Sequence, residues 1–178
     1  MKNTLKLSVV LVPLLVTMAL VAQAPLPAGS RPFTPVTQKM LENPSQDDWL
    51  MFSRTYDAQR YSPLKQINKQ NVGQLKMVYT IEMPTGSTET IPLVHDGVMY
   101  ATMPSGAVRA LDAATGTTIW EYKRPGAGGR SKTLGIYQDL ILYAAPDSYV
   151  VGIDARTGEM RWQSKVETRG NSSGPLTK

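Results

Sequence analysis

The sequence predicts an all-β fold of tandem four-stranded sheets, a β-propeller. Three observations predict it: an 11-residue block that returns after 42 residues, a Trp closing each copy, and short β-rich runs parted by turn residues. Residues 110–120 read ALDAATGTTIW and residues 152–162 read GIDARTGEMRW. Asp112, Ala113, Thr115, Gly116 and Trp120 recur without a gap as Asp154, Ala155, Thr157, Gly158 and Trp162. The register holds upstream, where Pro104 matches Pro146, Val108 matches Val150, and Val94 and Val98 match Ile136 and Leu140. Two unrelated hairpins would not share five identities in eleven positions.

Each part of the repeat has a physical task. Residues 108–111 and 149–153 are short β-rich runs and are read as strands. Asp-x-x-Thr-Gly then turns the chain: the Asp carboxylate accepts from backbone amides two residues on, and Gly takes a positive φ. Ile119 to Tyr122 and Met160 to Trp162 form the returning strand. An indole at that fixed place covers the flat face of the neighbouring sheet and buries a large area.

Composition limits the function classes. The chain has 178 residues, 42% hydrophobic, with a net charge of +5 and no Cys. Without thiols it has no disulfide frame, thiolate metal site, c-type haem motif or lipoprotein anchor. The basic residues are scattered and form no run interleaved with aromatics, so an evenly solvated surface is expected and nucleic-acid binding is not.

The N-terminus reads as an export signal over residues 1–24: Lys2 and Lys6, an apolar run from Leu7 to Ala22, then small residues at Ala22-Gln-Ala24. Pro25 disfavours a cut after Ala24, so cleavage after Ala22 or retention as an anchor are the alternatives. The sixteen-residue run is short for a span, and membrane contact is expected only if the segment is uncleaved. Residues 25–44, rich in Pro with Gly and Ser, read as an extended arm or linker, with Met40-Leu41 available to pack on the body.

From residue 48 the chain carries a specific signature. It runs Asp48-Trp49, Arg54, Arg60-Tyr61-Ser62-Pro63-Leu64, Ile67-Asn68-x-x-Asn71-Val72, Leu75 and Tyr79. Tyr61 to Ile67 reads as a pre-strand turn, Asn68 to Asn71 as a capped helical turn, and Leu75 to Ile81 as a strand. The signature resembles that of the pyrroloquinoline quinone (PQQ) dependent alcohol dehydrogenases, over about residues 44–178. Ser53 departs from the family's usual Gly, and Val78-Tyr79 from its usual Ala-Trp.

The resemblance implies an eight-bladed propeller of the quinoprotein type, of which residues 45–178 form an incomplete N-terminal piece. Val72 to Glu82 is expected as the ring-closing strand. Blades are expected over about 88–122 and 134–164, with a third beginning at 171. Two blades cannot close a ring, so a fragment or one part of a split protein is expected, inactive by itself.

PQQ is a flat ortho-quinone with three carboxylates and needs donors, cations and stacking surfaces. Glu89, Lys132 and Ser172 lie 43 and 40 residues apart, close to one blade each, at the lead-ins to successive innermost strands. Such points converge on one axial ligand. The resemblance assigns Glu89 and Ser172 to cofactor contacts. It places Lys132 where the family has an Arg, keeping the charge but losing the bidentate fork. Gly126 to Arg130 stands where many members carry adjacent cysteines, so one stacking wall is missing. By this resemblance the reaction is alcohol oxidation by hydride transfer to the quinone in the periplasm, with calcium or a lanthanide as Lewis acid and a cytochrome-type electron acceptor. The catalytic base and metal ligands come from later blades, so no catalytic or metal residue is expected here. The only histidine, His95, reads as a surface turn residue ahead of Asp96-Gly97. The alternative from another class is a non-catalytic propeller scaffold or protein-interaction module, like the outer-membrane assembly propellers.

Overall fold

The computed structural model describes residues 29–126, 132 and 134–166. Among the described residues eight strands form two antiparallel meanders, each pairing neighbour to neighbour. Blade one contains β1 (Leu93–His95), β2 (Val98–Thr102), β3 (Val108–Asp112) and β4 (Thr118–Tyr122). Blade two contains β5 (Leu134–Tyr137), β6 (Leu140–Ala145), β7 (Tyr149–Asp154) and β8 (Met160–Lys165). The repeat extends to irregularities: the register slips between Ala110 and Leu111 in one blade, and between Gly152 and Ile153 in the other. The sequence repeat is therefore a repeat of sheets, and the fold is a β-propeller of the quinoprotein type.

The Asp-x-x-Thr-Gly turns form as their chemistry requires. Asp112 Oδ1 accepts from the amides of Ala114 and Thr115 at 3.1 and 2.9 Å. Asp154 Oδ1 accepts from Arg156 and Thr157 at 2.9 and 3.1 Å. Each turn is then tied to the first hairpin of its own blade, Ala113 N–H donating to the Gly97 carbonyl and Ala155 N–H to that of Asp139, both at 2.9 Å.

The blades are joined through the Trp. Trp120 Nε1 donates to the Ala155 carbonyl at 3.0 Å, and Tyr100 Oη donates to the same oxygen at 3.2 Å. A Cβ on Gly158, whose φ is +78°, would lie 2.7 Å from the indole, so glycine is needed for both conformation and space. An indole of this kind buries about 150–250 Å², an upper bound of about 4–6 kcal/mol. Tyr143 Oη adds a bond to the Gly106 carbonyl across the same seam. Tyr79 makes the equivalent contact on the other side of blade one: its ring covers Gly116, and its hydroxyl donates to the Ala113 carbonyl at 2.9 Å.

One sequence expectation about the elements requires correction. Leu75 to Ile81 is not a strand: a 3-10 turn, Val72–Gln74, is followed by backbone outside any strand through residue 92. A strand exists only with a pairing partner, and among the described residues no strand pairs with this segment; Leu75, Met77 and Val78 are exposed accordingly. The capped turn before it does form, with Asn68 Oδ1 accepting from Gln70 N–H at 3.0 Å.

The described part of the arm packs on the body, with Phe33, Met40 and Leu41 against the core. Val36 is fully buried and exchanges two backbone bonds with Gln138 of blade two, at 2.9 and 2.8 Å. A single helical turn, α1 (Gln38–Glu42), follows, capped by Thr37. Trp49 pairs with Val94 of blade one, and Leu50 is buried. A Pro-rich segment has few intrinsic signals, and only the sheets supply its partners.

Candidate functional site

Antiparallel order sorts the connections onto two rims. The lead-in to β1, the β2–β3 loop and the end of β4 share one rim; the β1–β2 and β3–β4 turns share the other. The innermost strands β1 and β5 touch, so their lead-ins converge at the first rim.

Glu89 and Lys132 meet there. Lys132 Nζ lies 2.8 Å from Glu89 Oε2, and the Ile91 amide donates to the Lys132 carbonyl at 3.4 Å. The Glu89 segment is held by flanking threonines: Thr88 Oγ1 donates to the Thr102 carbonyl at 3.4 Å, and the Thr102 amide donates to Thr90 Oγ1 at 3.0 Å. Sequence reasoning passed over these two hydroxyls; their alternation about Glu89 was the available signal. The ion pair is open to solvent, with side chains 72% and 40% exposed for Lys132 and Glu89. Such pairs are worth about 0–1 kcal/mol, so an anionic ligand can take the place of the Glu89 carboxylate beside Lys132 at low cost. Ser172, like most of the 126–130 loop, lies outside the described residues.

The opposite rim is charged and structural. Arg31 of the arm bonds Asp112 at 2.5 Å and holds its carboxyl below the usual carboxylate range; burial opposes this, and the Thr115 bonds assist it. Burial alone would raise Asp154, but the amides of Arg156 and Thr157 and the charges of Arg156 and Arg161 outweigh it, so this carboxyl also lies low. Toward the first rim, where its hydroxyl reaches Gly106 of the β2–β3 loop, Tyr143 is pushed up to about 12, first by burial and then by the Asp147 charge.

His95 corrects the sequence reading. It ends β1 and is 1% exposed, not a surface turn residue. Its ring faces Asp48 and the Thr34 carbonyl, on the rim away from Glu89. Among the described residues no group of three or more His, Cys, Asp or Glu could hold a metal, and no helix is long and apolar enough to cross a membrane.

Two indole-stapled sheets, with a charged pair where their inner strands begin, define a propeller of the quinoprotein type. Residues 49–136 match the family described as PQQ glucose/ethanol/alcohol dehydrogenase, beta-propeller domain. The dehydrogenase subunit of the quinone alcohol dehydrogenase of Acetobacter aceti is 41% identical over 127 residues, covering 65% of this chain and 17% of the relative. The structure of quinohemoprotein alcohol dehydrogenase ADHIIG from Pseudomonas putida HK5 aligns with a TM-score of 0.69 at 33% identity, over 76% of this chain and 22% of that one. A europium-containing methanol dehydrogenase aligns at 0.63 and 26% identity, over 71% and 24%. The chain belongs to the PQQ-dependent alcohol dehydrogenase family and corresponds to the N-terminal portion of its members.

Proposed function

We propose that this chain supplies the first blades, and one charged wall of the cofactor site, of a periplasmic PQQ-dependent alcohol dehydrogenase. The single observation that carries the reading is the Glu89–Lys132 contact of 2.8 Å where two inner strands begin. Its chemistry fits a tricarboxylate quinone in part. The Lys132 ammonium can take one ligand carboxylate as a point charge, Glu89 can accept from a ligand donor, and the threonine-pinned backbone fixes both. Flat stacking walls are not evident at this pair and belong to other blades.

When bound, PQQ supplies the hydride acceptor, and calcium or a lanthanide the Lewis acid. The part played by the described residues is to bind and orient: they hold a cation and a carboxylate at the axial rim. The base and the metal ligands are assigned to further blades, and the two blades by themselves are expected to turn over no alcohol. Names of relatives that include quinone and quinohemoprotein support an alcohol substrate and a cytochrome-type acceptor. Residues 1–24, outside the described residues, are assigned as the export signal, and Ser172 as a third cofactor contact.

The test is titration with PQQ and calcium of the parent chain beside Glu89→Gln, Lys132→Ala and Lys132→Arg. Lys132→Ala is expected to weaken binding about tenfold, about 1.4 kcal/mol, with Lys132→Arg restoring it. Equal affinity in all four removes the pair from the site.

A further inference from the structure

Among the described residues the repeat supplies one more aromatic knob than it has glycine holes. The knobs are Tyr79, Trp120 and Trp162, spaced 41 and 42 residues apart. The holes are the glycines of the two Asp-x-x-Thr-Gly turns, Gly116 and Gly158, with φ of +73° and +78°. Tyr79 covers Gly116, and Trp120 covers Gly158. Trp162 has one face over Gly152 of its own sheet and is 40% exposed. Its ring is already placed on its own sheet, and its outer face is an apolar surface of the kind that Trp120 buries.

A second copy of the chain offers the matching hole at its Gly116. The backbone there repeats that of Gly158, and the Ala113 carbonyl stands where the Ala155 carbonyl receives the Trp120 indole. The present occupant is lightly held. Tyr79 makes one hydroxyl bond of 2.9 Å to that carbonyl, and its neighbours Met77 and Val78 are 82% and 83% exposed. Residues 114–117 are uncharged and Asp112 is paired with Arg31, so the turn presents no unpaired charge to an incoming strand. Two contacts of the internal seam do not carry over. Tyr100 and Tyr143 bond across that seam, but their blade equivalents are Leu142 and Ala101, which have no hydroxyl. A seam between copies keeps the indole and its bond and lacks the other two, so it forms at high protein concentration and parts on dilution.

We propose that Trp162 of one copy docks on the Gly116 turn of a second copy, displacing Tyr79 and joining the chains head to tail. The Trp162 ring covers Gly116, and its Nε1 donates to the Ala113 carbonyl, as Trp120 does at Gly158 and Ala155. The two patches differ, so the contact is heterologous and each added copy presents a fresh Trp162. It continues the internal seam and is independent of the cofactor reading.

Sedimentation of the full chain tests this in a Met77→Lys, Val78→Thr background, which suppresses pairing through the exposed segment. Tyr79→Ala empties the hole and is expected to lower the concentration of half-association at least about tenfold. Adding Trp162→Ala is expected to cancel that gain. The apolar run at residues 7–22 is common to all these chains, so the differences between them report the seam. No gain from Tyr79→Ala, or a gain that survives Trp162→Ala, overturns the docking. Should Tyr79→Ala not fold, the 15N-labelled indole signals of the parent chain decide, with Trp162→Phe giving the assignment. The Trp162 N–H is expected to shift and to gain exchange protection as concentration rises while Trp120 stays constant; a Trp162 signal that does not change with concentration overturns the proposal.

Discussion

Gly158 and Gly97 have nearly the same backbone, φ +78° and +72°, but differ in what a methyl group would meet. At Gly97 nothing lies within 4 Å, whereas at Gly158 the Trp120 indole does. Gly97→Ala therefore incurs only the left-handed penalty, about 1 kcal/mol, while Gly158→Ala adds a clash with a packed ring and is expected to cost roughly 3 kcal/mol or more. Urea unfolding of the two variants measures the difference, and equal costs would mean that the indole does not need that approach. At this scale the Asp-x-x-Thr-Gly turn was fully legible, because its bonds close within three residues. His95 was not. Asp96-Gly97 announces a turn, but no local pattern shows that residues 33–34 and 48 fold back over the ring.

Trp120 and Trp162 occupy equivalent places in their blades, yet one is 6% exposed and the other 40%. Blade two supplies a glycine turn for Trp120; no described residue supplies one for Trp162, which lies over Gly152 of its own sheet. Trp120→Ala is expected to cost about 3–5 kcal/mol, and Trp162→Ala well under 2 kcal/mol, read as urea midpoints. The β3–β4 and β7–β8 turns also set the acid limit. Asp112 and Asp154 lie below the ordinary 3.8 in the folded chain, so their stabilisation is present above that value and lost as pH falls through their lower native values. Asp112→Asn and Asp154→Asn are each expected to lower stability at neutral pH and to flatten the decline in urea midpoint between about pH 5 and pH 2. The effect should be larger at Asp154, whose side chain is 3% exposed against 17% for Asp112. Tyr79 could have been recognised from its position 41 residues before Trp120, one blade-length upstream. The strand expected around it could not have been rejected, since its residues are β-rich and only the missing partner decides.

At the scale of the whole molecule, both open faces among the described residues carry exposed apolar side chains. Leu75, Met77 and Val78 are exposed beside blade one, and Met160 and Trp162 on the outer strand of blade two. The Acetobacter aceti relative is covered over 17% of its length and the Pseudomonas putida structure over 22%. An unpaired, apolar, extended segment invites edge pairing with another chain. The 178-residue chain alone is expected to self-associate, and Met77→Lys with Val78→Thr to reduce this without shifting the thermal midpoint; light scattering beside a melting curve checks both.

The sequence by itself determined the sheet repeat, its turn chemistry and the family, because these depend on contacts between near neighbours and on a 42-residue period. It also marked Glu89 and Lys132 as blade-equivalent positions. Only the tertiary structure decided that these two side chains touch, that the arm is a strap, that His95 is buried and that residues 75–81 stay unpaired. Each of these depends on a partner distant in the chain, and local preference carries no information about whether that partner arrives.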